Sequence, residues 1–415
     1  MAEAPTEEVA PDAGAAEIFD YPGERDGKCP FAPPAGLLAL HDQGPVSRAR
    51  IWDGSTPWLV TGHAAQRKIL SDPRVSSNDK QPGFPHPTQA QSENAPHHPL
   101  TIFNADGADH TRIRRTMTSP FTRNRMEKLR PEIQRFTDEL IDRMLAGPKP
   151  VDLNTALSLP LPSLMICALL GVPYEDHEFF QEHAAVANKR VKTAEDDRVA
   201  MEALGGYLTG LLQARTDNPS DDVLSDFAGR VKAGELELSE AVMLCMILLI
   251  AGHETSANMI TLGTALLLEN PEQAARLRES DDPKFVANAV EEVLRYLTIP
   301  HLGQRRIAAE DIEFEGETIR AGEGIVVPLP AGNWDPVAFP EPERLDLGRE
   351  AKHHHTFSWG IHQCIGQQLA RIELQVVYGT LFRRIPTLAL GVPRDELEFK
   401  GDSLAYGIYE LPVTW

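Results

Sequence analysis

Cys364 sits in the stretch Phe357-Ser-Trp-Gly-Ile-His-Gln-Cys-Ile-Gly366, which runs straight into a helical pattern beginning Gln367-Gln-Leu-Ala-Arg-Ile-Glu-Leu374. At the mouth of a helix, unpaired N–H groups and the positive end of the dipole favour an anion. The position therefore predicts a thiolate. Gly360 and Gly366 bracket the sulfur without a Cβ, so the loop can turn tightly and a flat ligand can come close. That is how a chain presents one soft thiolate to a haem iron. The other reading is a buried cysteine opening an ordinary helix.

A second stretch, Ala251-Gly-His-Glu-Thr255, breaks into a long apolar helical pattern. Glycine inside a helix costs about 1 kcal/mol, and a carboxylate interrupts the apolar run. Thr255 can bond back to the carbonyl of Ala251 or hold a water there. Costs of this kind mark chemistry.

The elements that must position these stretches are mostly helices. Periodicity predicts one long helix from Ser239 to Glu269, capped by Ser239 with Glu240 just inside and ended by Asn270-Pro271. Shorter helices are expected at 63–70, from 110 onward, and at 130–145, 157–170, 176–189, 196–216, 221–232 and 286–296. Residues 29–62 read as a β-hairpin turning at Asp53-Gly54, and 299–323 as strand-like. Ser76 to Ala105 is a long loop rich in Pro, Asn, His and Gln. Such loops are usually functional.

The chain has 415 residues, 42% hydrophobic and 24% charged, as expected of a globular protein. Its net charge of −21 argues against general nucleic-acid binding. One strip is the exception: His110 to Arg130 holds seven Lys or Arg and one acid. Met1 to Asp26 carries eight acids and one Arg, so residues 1–20 read as a disordered acidic leader before a single domain at 21–415. The longest wholly apolar run, Ala241 to Ala251, is short for a bilayer, so no membrane anchor and a cytoplasmic location are expected. Cys29, Cys167, Cys245 and Cys364 lack metal or disulfide spacing, and His353-His-His355 is read as chance.

Taken together, Phe-x-x-Gly-x-His-x-Cys-x-Gly, Ala-Gly-x-acid-Thr and Glu292-Val-Leu-Arg295 resemble the cytochrome P450 family, in the order that family requires and across Tyr21 to Trp415. Ser358 departs from it, standing where bacterial members usually have Gly. The resemblance implies a mainly α cytochrome P450 fold around haem b, with a smaller β-rich region. It makes Cys364 the axial ligand of the haem iron, with Phe357 and Gly366 beside the cofactor. His110, Arg114, Arg306 and His362 would meet the propionates. Thr255 and Glu254, with Ala251 and Gly252, would activate oxygen, Gly252 opening a groove over the iron. Glu292 and Arg295 would be locked structurally to Arg344, with Trp334 replacing a usual Arg.

Substrate contacts are expected from Ile247, Ile250, Ala251, Ile299, Leu302, Phe84 and Tyr406. Residues 191–195 would hinge a lid. Arg112 and Arg115 would be left for an acidic redox partner. The implied protein is a monomer that takes electrons from a ferredoxin and ferredoxin reductase. It would use O2 to hydroxylate or epoxidise a hydrophobic small molecule, most similarly to soluble actinobacterial members that oxidise macrolides, polyenes and drug-like compounds. A peroxide-driven peroxygenase and a non-enzymatic helical ligand-binding protein are the alternatives.

Overall fold

The computed structural model describes residues 18–97, 99–176, 178–180, 182–183, 194–401 and 403–415. Residues 1–17, much of the 176–189 helix and most of the expected hinge lie outside them. Phe19 and Asp20, expected in the leader, instead pair in parallel with Ala49 and Arg50.

The long helix runs Leu238–Leu268. Its N-cap is Glu237 in an extended conformation with no side-chain cap bond, so Ser239 lies inside the first turn instead of capping it. By length and composition this helix could cross a membrane. Its apolarity has another use: it is the central post of the core, packed by the helices Pro160–Leu170, Ala194–Asp217 and Gln367–Arg384. Gly252 shows how close that packing is, because a Cβ there would lie 2.6 Å from Cδ1 of Ile166. The glycine thus lets two helices cross closely.

The largest sheet among the described residues has six strands in the order Phe19–Asp20, Val46–Arg50, Trp58–Val60, Gly324–Val327, Gln304–Ala308, Val75–Ser76, beside a three-stranded and a two-stranded one. Val46–Arg50 and Trp58–Val60 form the hairpin expected around Asp53-Gly54. The loop after Ser76 contains a short helix, Gln89–Asn94, capped by the Thr88 hydroxyl. Its ends are held together: Ser76 Oγ donates to Asp106, Ser77 N–H donates to Asp106 at 2.9 Å, and Asn104 donates to Asp79 at 3.0 Å.

Three histidines are built into this frame as neutral groups. His253 bonds the Leu159 carbonyl at 3.1 Å, His301 bonds that of Ser403 at 2.6 Å, and His355 stacks on His63 at 3.9 Å. Burial pushes them down, to about 4, about 4 and about 2. Below an ordinary histidine value of roughly 6.5 the unfolded chain takes up protons that the folded chain refuses, so stability present above that value is lost as pH falls. Each histidine should cost about 2 kcal/mol by pH 5. The urea midpoint should drop steeply between pH 7 and 5; a midpoint independent of pH would contradict this assignment.

Candidate active site

The loop before the Gln367–Arg384 helix is closed by a bond from Cys364 N–H to the Phe357 carbonyl at 2.9 Å. Gly360 is left-handed, φ 76°, and presses on the chain below, where a Cβ would meet the Leu70 carbonyl at 2.3 Å. No other residue fits. Around it, Arg67 covers the Trp359 ring and Arg371 the Phe357 ring. Arg371 also chelates Glu291 at 2.7 and 3.1 Å, and His354 completes that cluster. So the three adjacent histidines serve different partners, His353 the Ala338 carbonyl, His354 Glu291 and His355 Gln66.

The Cys364 sulfur is accessible, yet burial pushes its thiol up. The N–H groups of Gly366 and Gln367, with Arg114 and Arg371, pull the other way without winning. Helix-end donors and the two arginines thus act against desolvation at this sulfur, and a bound metal ion would remove the proton outright.

Beside the sulfur lies an excess of basic groups. His110 is 3% exposed and its Nε2 is buried with no partner among the described residues. Arg306 is 6% exposed, bonds only the Arg305 carbonyl among the described residues, and is pushed down to about 10 by burial. Arg114 is half-buried and held down by desolvation, with the Cys364 sulfur as its countering charge. The one carboxylate here, Asp106, is occupied by Ser76 and Ser77. His362 joins the cluster, its ring 4.2 Å from that of His110. Both its nitrogens already have protein partners: Nδ1 donates to Ile102 O at 3.1 Å and Nε2 accepts from Ser77 Oγ at 2.9 Å. It braces the cluster and is not a free donor, contrary to expectation.

On the long helix, Thr255 Oγ1 donates to the Ala251 carbonyl at 2.7 Å, as expected. Ile250, Ala251 and Thr255 are exposed in the middle of an otherwise buried helix, Ile250 by 46%. Ala251 and Thr255, one turn apart, share one accessible face, and Ile250 is exposed about 100° around the helix from Ala251. Ser256 turns away and donates to the buried Glu373 at 2.7 Å, whose carboxyl burial pushes up to about 7.

The cytochrome P450 family profile matches residues 211–388. Cytochrome P450 CYP105Q4 of Mycobacterium marinum is 56% identical over 402 residues, 97% of this chain and 97% of that protein. This chain belongs to the cytochrome P450 family.

Among solved structures, GfsF superposes with a TM-score of 0.92 at 54% identity, over 96% of this P450 and 100% of that chain. The mycinamicin VIII C21 methyl hydroxylase MycCI from Micromonospora griseorubida gives 0.86 at 39%, over 96% and 100%. The P450 is a haem monooxygenase with a mainly helical fold. Its residues fit the cofactor: one accessible sulfur in a glycine-bounded loop, and next to it buried basic groups lacking the anions that two propionates would bring.

Several expected contacts of the P450 fall elsewhere. Tyr406 is 2% exposed, its ring between Arg25 at 3.9 Å and Phe399, its hydroxyl on the Pro30 carbonyl at 2.8 Å. Ile299 is 4% exposed. Both are core residues, because apolar periodicity does not distinguish a cavity wall from packed interior. Phe84 lies against His86, between Gly83 and Pro85, which press on the strand turn at Gly322 to Gly324. It belongs to the sheet edge, not to the accessible helix face. Ile247 and Leu302 are half-buried.

Arg344 is exposed and, among the described residues, pairs only with Glu341, at 3.5 Å. Glu292 and Arg295 form a fully buried double bond at 2.7 and 2.9 Å, and their third member is Arg349, 3.1 Å from Glu292. Arg112 is not free either; it pairs with Glu240 at 2.6 Å, while Arg115 is exposed with no ion pair among the described residues.

Ser358 holds φ 61°, and its buried Oγ has no partner among the described residues. A left-handed non-glycine costs roughly 1 kcal/mol. Ser358→Gly should raise the thermal midpoint by a few degrees; a fall would mean that the hydroxyl is engaged.

Proposed function

We propose that this P450 hydroxylates or epoxidises a hydrophobic molecule of the macrolide or polyene type, with electrons from a ferredoxin and its reductase. The observation that carries this is the accessible face of Ala251 and Thr255 on the long helix, an apolar surface with a hydroxyl one turn on and the exposed Ile250 at its flank. Relatives support the substrate class: MycCI was solved with mycinamicin VIII, and another relative with filipin I.

The haem, when bound, supplies reduction and cleavage of O2, placing one oxygen in the substrate and releasing the other as water. Cys364 would hold the iron, with Phe357 and Gly366 shaping its loop. His110 Nε2, Arg114 and Arg306 would neutralise the propionates, with His362 bracing them. Ile247, Ile250, Ala251 and Leu302 would bind and orient substrate, excluding water. Thr255 Oγ1 would hold a proton beside the reacting atoms, and Glu254 would carry protons toward it from solvent. That acid and alcohol favour a monooxygenase over a peroxide-driven enzyme. Arg115, in the basic strip of an acidic chain, is the best-placed cation for an acidic ferredoxin. A cytoplasmic monomer fits this reading.

A binding-difference spectrum against macrolides, polyenes and smaller drug-like compounds tests the substrate class; a response confined to small compounds would overturn it. Thr255→Ala should consume NAD(P)H at a similar rate while hydrogen peroxide rises severalfold and product falls. Fully coupled turnover in that variant would remove Thr255 from proton delivery.

A further inference from the structure

Lys400 is 4% exposed, an unusual place for an ammonium group. Its Nζ lies 3.0 Å from Asn258 Oδ1 and 3.5 Å from Glu254 Oε1, both on the long helix. It arrives on the C-terminal hairpin, where Lys400 N–H bonds the Gly407 carbonyl at 2.8 Å and Phe399 bridges Ile408. Asn258, fully buried, returns a bond to the Ala405 carbonyl at 3.2 Å. Gly407 closes the joint: a Cβ there would sit 2.4 Å from Asn258 Oδ1.

Fastening this hairpin to Asn258 needs a donor but no charge. An ammonium buried for that purpose alone would cost several kcal/mol, unless a carboxylate offsets it. Glu254, 3.5 Å away, is a carboxylate placed to do so, and its side chain is 28% exposed, so it keeps a route to water.

We infer that Lys400 is a positioning residue for proton delivery: its ammonium is the counter-ion that fixes Glu254 one residue from Thr255, tying the acid to the C-terminal hairpin. The inference rests on the proton-delivery reading of Glu254 and Thr255. It adds a residue more than 140 positions away in sequence, 400 against 254. It also means that whatever displaces the hairpin, including a ligand touching its exposed tip at Leu404, moves the acid as well.

Lys400→Gln keeps a donor for Asn258 and removes the charge, whereas Lys400→Arg keeps the charge. Carbon monoxide on the reduced, haem-loaded protein is the probe, because its stretching band senses polar groups facing the pocket. Lys400→Gln should split or shift that band, Lys400→Arg should restore it, and adding Glu254→Gln should abolish the difference between lysine and glutamine at 400. With surrogate ferredoxin partners, Lys400→Gln should also raise peroxide per NADPH at least twofold. An unchanged band in Lys400→Gln, alongside a shifted one in Glu254→Gln, would overturn the inference and leave the relay standing. Unchanged peroxide in both Glu254→Gln and Thr255→Ala would instead overturn the relay, and the role of Lys400 with it.

Discussion

Cys364→His is expected to give a protein that still takes up haem but has lost the long-wavelength band of its reduced carbon monoxide complex, along with monooxygenation. Uptake should survive because the anion-seeking groups His110, Arg114 and Arg306 are untouched and form no ion pair with a carboxylate among the described residues. The band should not, because it reports sulfur donation to the iron, which imidazole does not supply. The loop itself can tolerate the change: Cys364 N–H, not its side chain, makes the closing bond to Phe357. A surviving band would show that another residue ligates the iron.

The largest loss of stability should come from Glu292→Ala. Removing one partner of a buried ion pair leaves the other charge without compensation, which costs about 3–5 kcal/mol. Here the loss is widened, because Glu292 also accepts from Asp346 N–H at 3.1 Å and from Arg349. The orphaned Arg295 would keep only the Asn333 and Pro342 carbonyls, at 2.9 and 3.0 Å. Little folded protein is expected at 37 °C. The companion comparison locates the third member: Arg349→Met should lower the thermal midpoint clearly, and Arg344→Met hardly at all. Equal effects of the two would restore Arg344 to the cluster.

That substitution of one arginine for another shows where sequence reading runs out. Glu292 and Arg295 are legible because helical spacing fixes their mutual distance. Which downstream arginine folds back onto them depends on a loop, and Arg344 and Arg349 lie in the same one. The Cys364 loop and the Ala251 to Thr255 stretch were readable because each breaks a local rule, glycine or charge where neither belongs. Even so, the close crossing at Gly252 was not legible, since Ile166 comes from a different helix. Asp106, Glu373 and Lys400 were missed altogether. Asp106 resembles any residue before a helix, and only its bonds from Ser76 and Ser77 distinguish it; Glu373 and Lys400 resemble any charge on a polar face, and only burial distinguishes them. Tyr406 and Ile299 failed for the converse reason, as apolar residues near a site that are sealed from it.

The clasp between Ser76, Ser77 and Asp79 on one side and Asn104 and Asp106 on the other has a meaning for how such a chain can diversify. The ends of the segment are joined to each other, and through Ser77 to His362, whatever lies between. Beyond the residues that Gly83, Pro85 and His86 anchor to the sheet, the tip from Pro87 to Leu100 is thereby an interchangeable cassette: doubling its length adds only about 0.6 kcal/mol of closure entropy. Tips borrowed from relatives with other ligands could be grafted in place of Pro87 to Leu100, leaving Ile102 and its bond from His362 untouched, and an unaltered carbon monoxide spectrum in such a chimera is the sign that the cofactor rim has been left alone.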